Sequence, residues 1–245
     1  MHTDKYGVIG QIQGDGSVEG GDSVCWMGHW LYLNNGEVDE WNVDKFIYFF
    51  EVAFGAYVRH PDPTQTNNGF GAHYKNPWNG CITRDQLTGI LAALIVGKKH
   101  YAMFRVVIHH LAWLVLFSYS NITNGVDPKT ARWKIGDLTL FDIWSMQIRG
   151  LGVIGYILYP LLVILDIHIL LSTIFTNYQP DTENDVINHT VKLLISNEYL
   201  KTPFSWLAWK ICDKESLLRK LSLYWTGWRD NPEYMDLYIK KFNSI

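Results

Sequence analysis

Cysteine is scarce in this 245-residue chain, with only Cys25, Cys81 and Cys212, widely spaced and odd in number. That pattern fits neither a disulfide framework nor a zinc site and points to free thiols in a reducing compartment. An excess of one charge is also lacking: 21 basic and 24 acidic residues leave a net charge of −3, with no basic block. No nucleic-acid partner is therefore expected. No His-x-x-x-His or His-Glu-x-x-His pair occurs, no glycine-rich phosphate loop follows a strand, and there is no Gly-x-Ser-x-Gly elbow. Residues 15–26 begin like a calcium loop, with Asp15, Ser17, Glu19 and Gly20, but Trp26 stands where the closing glutamate belongs. Neither a metal nor a cofactor is expected. The opening Met1-His2-Thr3-Asp4-Lys5 is polar and leads into no apolar segment, so the expected location is cytoplasmic or virion-associated, without a signal peptide.

Long hydrophobic runs are present but interrupted. Sixteen uncharged residues separate Arg149 from Asp166, with Pro160 among them and His168 just beyond; the stretch 101–119 carries Arg105, His109 and His110. A spanning helix needs about 18–20 predominantly apolar residues. Helices buried all round in a large helical domain are the preferred reading of both stretches, and an integral membrane protein is the alternative.

Aromatic residues are abundant: 11 Trp, 14 Tyr and 11 Phe make up 15% of the chain. Most belong to the core, because each buries a large area, yet eleven tryptophans also suit a ligand cleft with flat stacking walls. The apolar positions recur at helical spacing in most segments. Phe46, Ile47, Phe49, Phe50, Ala53, Phe54 and Tyr57 mark a helix over 43–58, and Leu87, Ile90, Leu91, Leu94 and Ile95 mark one beginning at Thr83. Others are expected from Asp22 or Ser23 to about Leu33, over 100–119, from Asp137 or Thr139 to about Arg149, within 151–175, and near 183–200, 204–211 and 214–225. A last helix is expected after the Asn231-Pro232 cap. A short strand is expected within 6–12. The fold class is thus all-α, a helical-hairpin bundle in one domain spanning 1–245.

Three segments carry candidate chemistry. In Gly20-Gly21-Asp22-Ser23, a carboxylate among glycines at a helix start is held by backbone amides that favour its charged form; Trp26, His29 and Trp30 follow on the next turns. Plain N-capping also accounts for Asp22. Thr83-Arg84-Asp85-Gln86 reads as a capping box, which leaves Arg84 and Asp85 projecting from the first turn. An arginine there gains nothing from the helix dipole, so it implies an acidic partner or ligand. Arg59-His60 opens a loop to Ile82 that contains Tyr74 and Trp78, and loops this long are often functional. The candidate site residues are Asp22, Asp85 and His60 for catalysis, with Trp26, His29, Arg59, Tyr74, Trp78, Arg84, Gln86 and Asp137 for binding. Asp142 and Trp144 read as cap and core, and Asp166-x-His168 places its side chains on different helix faces.

The Gly-Gly-Asp-Ser helix entry, the Thr-Arg-Asp-Gln helix opening and the loop with Trp78 together resemble the α/α-toroid enzymes that act on carbohydrates. The likeness is general, covers mainly residues 14–150, and in so short a chain implies a partial or small toroid. It implies a loop-lined cleft at one end of the barrel that takes an oligo- or polysaccharide. Cleavage there would use acids for glycosidic hydrolysis, or a Tyr/His pair for β-elimination. The competing reading is a non-enzymatic structural or assembly protein that buries aromatic patches against a partner.

Overall fold

The computed structural model describes residues 11–12, 18–19, 23–49, 84–116, 140–178, 183–223 and 233–245; side chains are described for these except 11–12, 18–19, 23–24, 48–49, 84–86, 109–116, 140, 176–178, 183–185 and 233. Within them the chain is all-α, 82% helix and 3% strand. The helices are α1 (Ser23–Leu33), α2 (Val43–Phe49), α3 (Arg84–Val96), α4 (His100–Leu116), α5 (Leu140–Gly150), α6 (Val153–Ile157), α7 (Tyr159–Leu165), α8 (Ile167–Tyr178), α9 (Glu183–Glu198), α10 (Pro203–Ile211), α11 (Lys214–Ser222) and α12 (Glu233–Ser244). Two small hairpins complete the described set: β1 (Gln11–Ile12) pairs antiparallel with β2 (Val18–Glu19), and β3 (Glu37–Val38) with β4 (Trp41–Asn42).

Four helices form a central layer. Every described side chain of α1 from Cys25 to Leu33 is buried, as are Thr88–Ile95 of α3 and Val186–Asn197 of α9. In α5 the same holds from Asp142 to Gly150 apart from the half-buried Trp144. The surrounding helices α4, α8, α10, α11 and α12 each keep an exposed face.

The central helices run parallel. Asp142 pairs with Lys192, and seven residues on, Arg149 Nε donates to the Tyr199 carbonyl; an offset that stays constant along both chains requires α5 and α9 to point the same way. Cys25 contacts Asn188 near the start of α1 and α9, and Tyr32 contacts Glu198 near their ends. For α1 and α3, Gly28 lies directly against Gly89 at mid-helix. At the far ends, Gly97 faces Val43; the Val43 N–H donates to the Gly36 carbonyl, and the Gly36 N–H donates to Leu31. The ends of α3 and α5 are tied by His100 Nδ1 against the Gly150 carbonyl at 2.9 Å. In contrast, α8 runs back along α5: Asp166 meets Arg149, while His168, later in the chain, meets the earlier Asp142.

Local chemistry places the ends. Asn35 and Gly36, with φ of 58° and 102°, turn the chain after α1. Thr202 Oγ1 accepts from the Ser205 N–H at 3.1 Å and Ser205 Oγ accepts from the Thr202 N–H at 2.9 Å, with Pro203 at the first position of α10; both orphan donors are satisfied reciprocally. Asp213 caps α11 by accepting from the Ser216 N–H at 3.0 Å. The closing helix α12 is clasped onto the ends of α1 and α9: Lys241 Nζ reaches Glu198 and Asn35 and lies 4.7 Å from the Tyr32 ring, while the Tyr234 ring stacks on Trp30 at 3.6 Å.

Two expectations need correction. The stretch 151–175 is not buried all round. It divides into α6, α7 and α8 and leaves Val153, Tyr156 and Ile157 at 70–78% exposure. The same holds for α4, whose Tyr101, Phe104 and Ile108 face outward. The β3–β4 hairpin was not expected, since two-residue strands leave no periodic signal. Of the helix expected over 43–58, residues 50–58 lie outside the described residues.

Candidate functional site

Parallel packing sets the N-termini of α1, α3, α5 and α9 at one end of the molecule. Each helix start has N–H groups with no intrahelical partner and a partial positive charge equivalent to about half a proton. Ser23 precedes the Gly28–Gly89 crossing by five residues, and Arg84 precedes it by the same number. At about 1.5 Å per residue both helix starts lie some 7–8 Å from that crossing along their axes. Side chains at Gly28 and Gly89 would hold the two axes apart, because a Cβ on Gly28 would overlap the Gly89 backbone.

Beneath this end a polar seam crosses the central layer. Asp142 Oδ1 accepts from Lys192 Nζ at 2.9 Å and lies 3.0 Å from His168 Nδ1. Asp142 and Lys192 are 0% and 1% exposed, and His168 is 14% exposed. Charges removed this fully from water persist only when paired, because the penalty for an isolated one is several kcal/mol. Ser172 Oγ lies 3.2 Å from the same His168 nitrogen, and Phe141 stacks on the ring with centroids 6.1 Å apart. A carboxylate on one ring nitrogen fixes the ring's orientation.

Next along the seam, His189 Nε2 lies 3.4 Å from Thr173 Oγ1, whose hydroxyl donates to the Ile169 carbonyl at 2.8 Å. The hydroxyl proton is committed, so Nε2 is the donor and Nδ1 carries the lone pair. That Nδ1 is buried and makes no hydrogen bond. Burial, then the nearby Lys192 charge, holds the His189 pKa well below the ordinary range. On α1, burial pushes His29 down to about 3; its ring contacts Cys25 Sγ at 3.8 Å, and Cys25 donates to Asn188 Oδ1 at 3.6 Å. Both histidines are neutral at pH 7.

A second ionic group lies at the opposite end of α5. Arg149 grips Asp166 through both terminal nitrogens, at 3.0 and 2.5 Å. Asp166 also accepts from Ser145 Oγ at 2.8 Å and Thr202 Oγ1 at 2.6 Å. Every strong acceptor position is occupied, which marks a structural lock between α5, α8 and α10.

Of the residues singled out in the sequence, Trp26 and His29 are 4% and 0% exposed. Both lie on α1 in the interior. The backbone of Arg84, Asp85 and Gln86 forms the first turn of α3 at the shared N-terminal end, with side chains outside the described set. Asp22, Arg59, His60, Tyr74, Trp78 and Asp137 lie outside the described residues. Asp142 is buried and joins three helices. The roles of Asp142, His168, His189 and Lys192 were missed by sequence reasoning. Their signal was the presence of ionisable residues on otherwise buried faces, legible only once those faces are known. Asp166 and His168 do serve separate partners, as their spacing requires.

Among the described residues no cluster of His, Cys, Asp and Glu is arranged to hold a metal ion, and no helix is long and apolar enough to cross a membrane. No family model, curated protein or solved structure matches this chain.

Proposed function

We propose that the chain is a carbohydrate-active enzyme of partial α/α-toroid architecture, with its cleft at the shared N-terminal end of α1, α3, α5 and α9. The observation that carries this reading is the parallel central layer with α8 running back along it. It directs the entries of α1 and α3, where Asp22 and Thr83-Arg84-Asp85-Gln86 occur in the chain, toward one end. Four aligned helix starts favour a ligand bearing negative charge, which supports an acidic, uronate-containing glycan.

Two reactions suit these residues. In hydrolysis, Asp22 and Asp85 act as base and acid on either side of the glycosidic bond, and one water is added. In β-elimination, Arg84 or Arg59 neutralises the uronate carboxylate. A base such as His60 then takes the proton beside that carboxylate, the leaving oxygen departs with its electron pair, and a carbon–carbon double bond forms. Mass spectrometry of the fragments from uronate oligosaccharides separates them, because hydrolysis adds the mass of one water and elimination does not. Loss of cleavage in both Asp22→Asn and Asp85→Asn supports hydrolysis; loss in Arg84→Gln and His60→Gln, with both aspartate variants active, supports elimination. Absence of cleavage by the wild-type chain across neutral and acidic glycans overturns the proposal.

A further inference from the structure

Among the described residues, the outer surface of α6–α8 is an apolar feature unused by the proposed cleft. The three helices follow one another with single-residue joints at Leu158 and Asp166, and i→i−4 hydrogen bonds carry across both. Leu158 donates to Ile154, Leu162 to Leu158, Asp166 to Leu162 and Leu170 to Asp166, at 2.9–3.2 Å. Side chains at helical spacing therefore form one continuous stripe. Val153, Ile157, Leu161, Ile164 and Leu171 lie on it at 78%, 72%, 44%, 61% and 40% exposure. The opposite face is anchored inward by Asp166, paired with Arg149, and by His168 on Asp142.

We infer that this stripe is the interface of a homodimer. Ten apolar side chains between Val153 and Phe175 are 37–78% exposed. Together they present on the order of 1,000 Å² of surface, against about 800 Å² per partner in a standard interface. The largest apolar patch on a monomer is usually only a few hundred Å². Composition selects the occupant. Between Gly150 and Tyr178 there is no Lys, Arg or Glu, and the one Asp is buried. Depletion of charge with exposed Tyr and Phe marks the core of an interface, and homodimer interfaces are more apolar than the rest of the surface. Helices that lie on a bilayer surface instead carry Lys and Arg on their polar face, and the net charge of −3 adds no attraction to anionic lipid. A self-complementary stripe is most simply closed by a two-fold axis.

Light scattering of the full chain at micromolar concentration should give twice the 28.4 kDa chain mass, and two differently tagged copies expressed together should co-purify. Ile157→Asp combined with Ile164→Asp should run at one chain mass with an unchanged helical circular dichroism spectrum, since both side chains are solvent-facing within one chain. A wild-type monomer overturns the inference. So does a variant that keeps the double mass, or a wild-type monomer that floats with phosphatidylcholine vesicles, which would assign the stripe to lipid.

Discussion

Gly28 of α1 and Gly89 of α3 meet backbone to backbone at the middle of the parallel pair, so closely that a Cβ on Gly28 would occupy the position of the Gly89 carbonyl. The contact lets α1 and α3 pack closely and brings their first turns toward a common end.

Gly28→Ala is expected to destabilise the protein despite improving helix propensity. The gain in propensity is about 1 kcal/mol. The overlap falls on backbone rather than on a flexible side chain, and overpacking of that kind typically costs about 1–3 kcal/mol and sometimes more. Urea unfolding followed by circular dichroism should show a lower midpoint. A midpoint at or above wild type would mean that the helices can separate freely.

The Asp142–Lys192 pair calls for a double-mutant cycle. Asp142→Asn leaves Lys192 charged inside the central layer, and loss of one partner of a buried pair costs about 3–5 kcal/mol. Asp142→Leu with Lys192→Met should recover most of that loss, because apolar replacements of similar volume are often neutral or better. His168 would lose its orienting carboxylate in both cases. Equal instability of the single and double variants would contradict a pairwise origin.

Acid sensitivity should trace to the buried histidines. His29 is held at about 3, and His189 is also lowered, both first by burial. The unfolded value is about 6.5, so the unfolded chain binds the proton first. Their contribution is intact above that value and is lost as pH falls toward the folded one, by up to about 1.4 kcal/mol per pH unit for each histidine. Urea midpoints measured from neutral pH down to mildly acidic pH should fall less steeply in His29→Gln than in wild type. Parallel slopes would assign the acid sensitivity to carboxylates.

Cys212 offers a chemical check. Burial pushes its thiol up to about 11. With the thiolate as the reactive form, alkylation at mildly alkaline pH should be roughly a hundredfold slower than for a free cysteine. Peptide mass spectrometry after timed iodoacetamide exposure reads this rate directly. A rate like that of the denatured chain would show the site to be open.

Helix identity was legible in the residues because burial on one face imposes its own period. The positions Leu87, Ile90, Leu91, Leu94 and Ile95 specify α3, and five of five lie at the core or against it. Turn chemistry was equally local: Asn34-Asn35-Gly36 ends α1 because Asn and Gly tolerate the left-handed conformation found at Asn35 and Gly36. The candidate site was far less legible. Trp26 and His29 follow a polar helix entry, and nothing local in the sequence showed that both would be buried. Asp142 looked like a cap because it lies in the first turn of α5, but its partners Lys192 and His168 are 50 and 26 residues distant.

The apolar stretch 151–175 shows the division most clearly. The residues alone determined that it is helical, uncharged and interrupted at Asp166 and His168, because these follow from composition and spacing. Whether it is core, surface or membrane depends on which neighbours bind its few polar groups. Arg149, Asp142 and Thr202 hold Asp166 and His168 inward, and that turns the opposite, wholly apolar face outward. The same reason applies to the central layer. Periodicity dictates that a segment coils, but it carries no information on direction relative to distant helices. Only the tertiary pairings, Asp142 with Lys192, Arg149 with Tyr199 and Gly28 with Gly89, align four helix starts at one end.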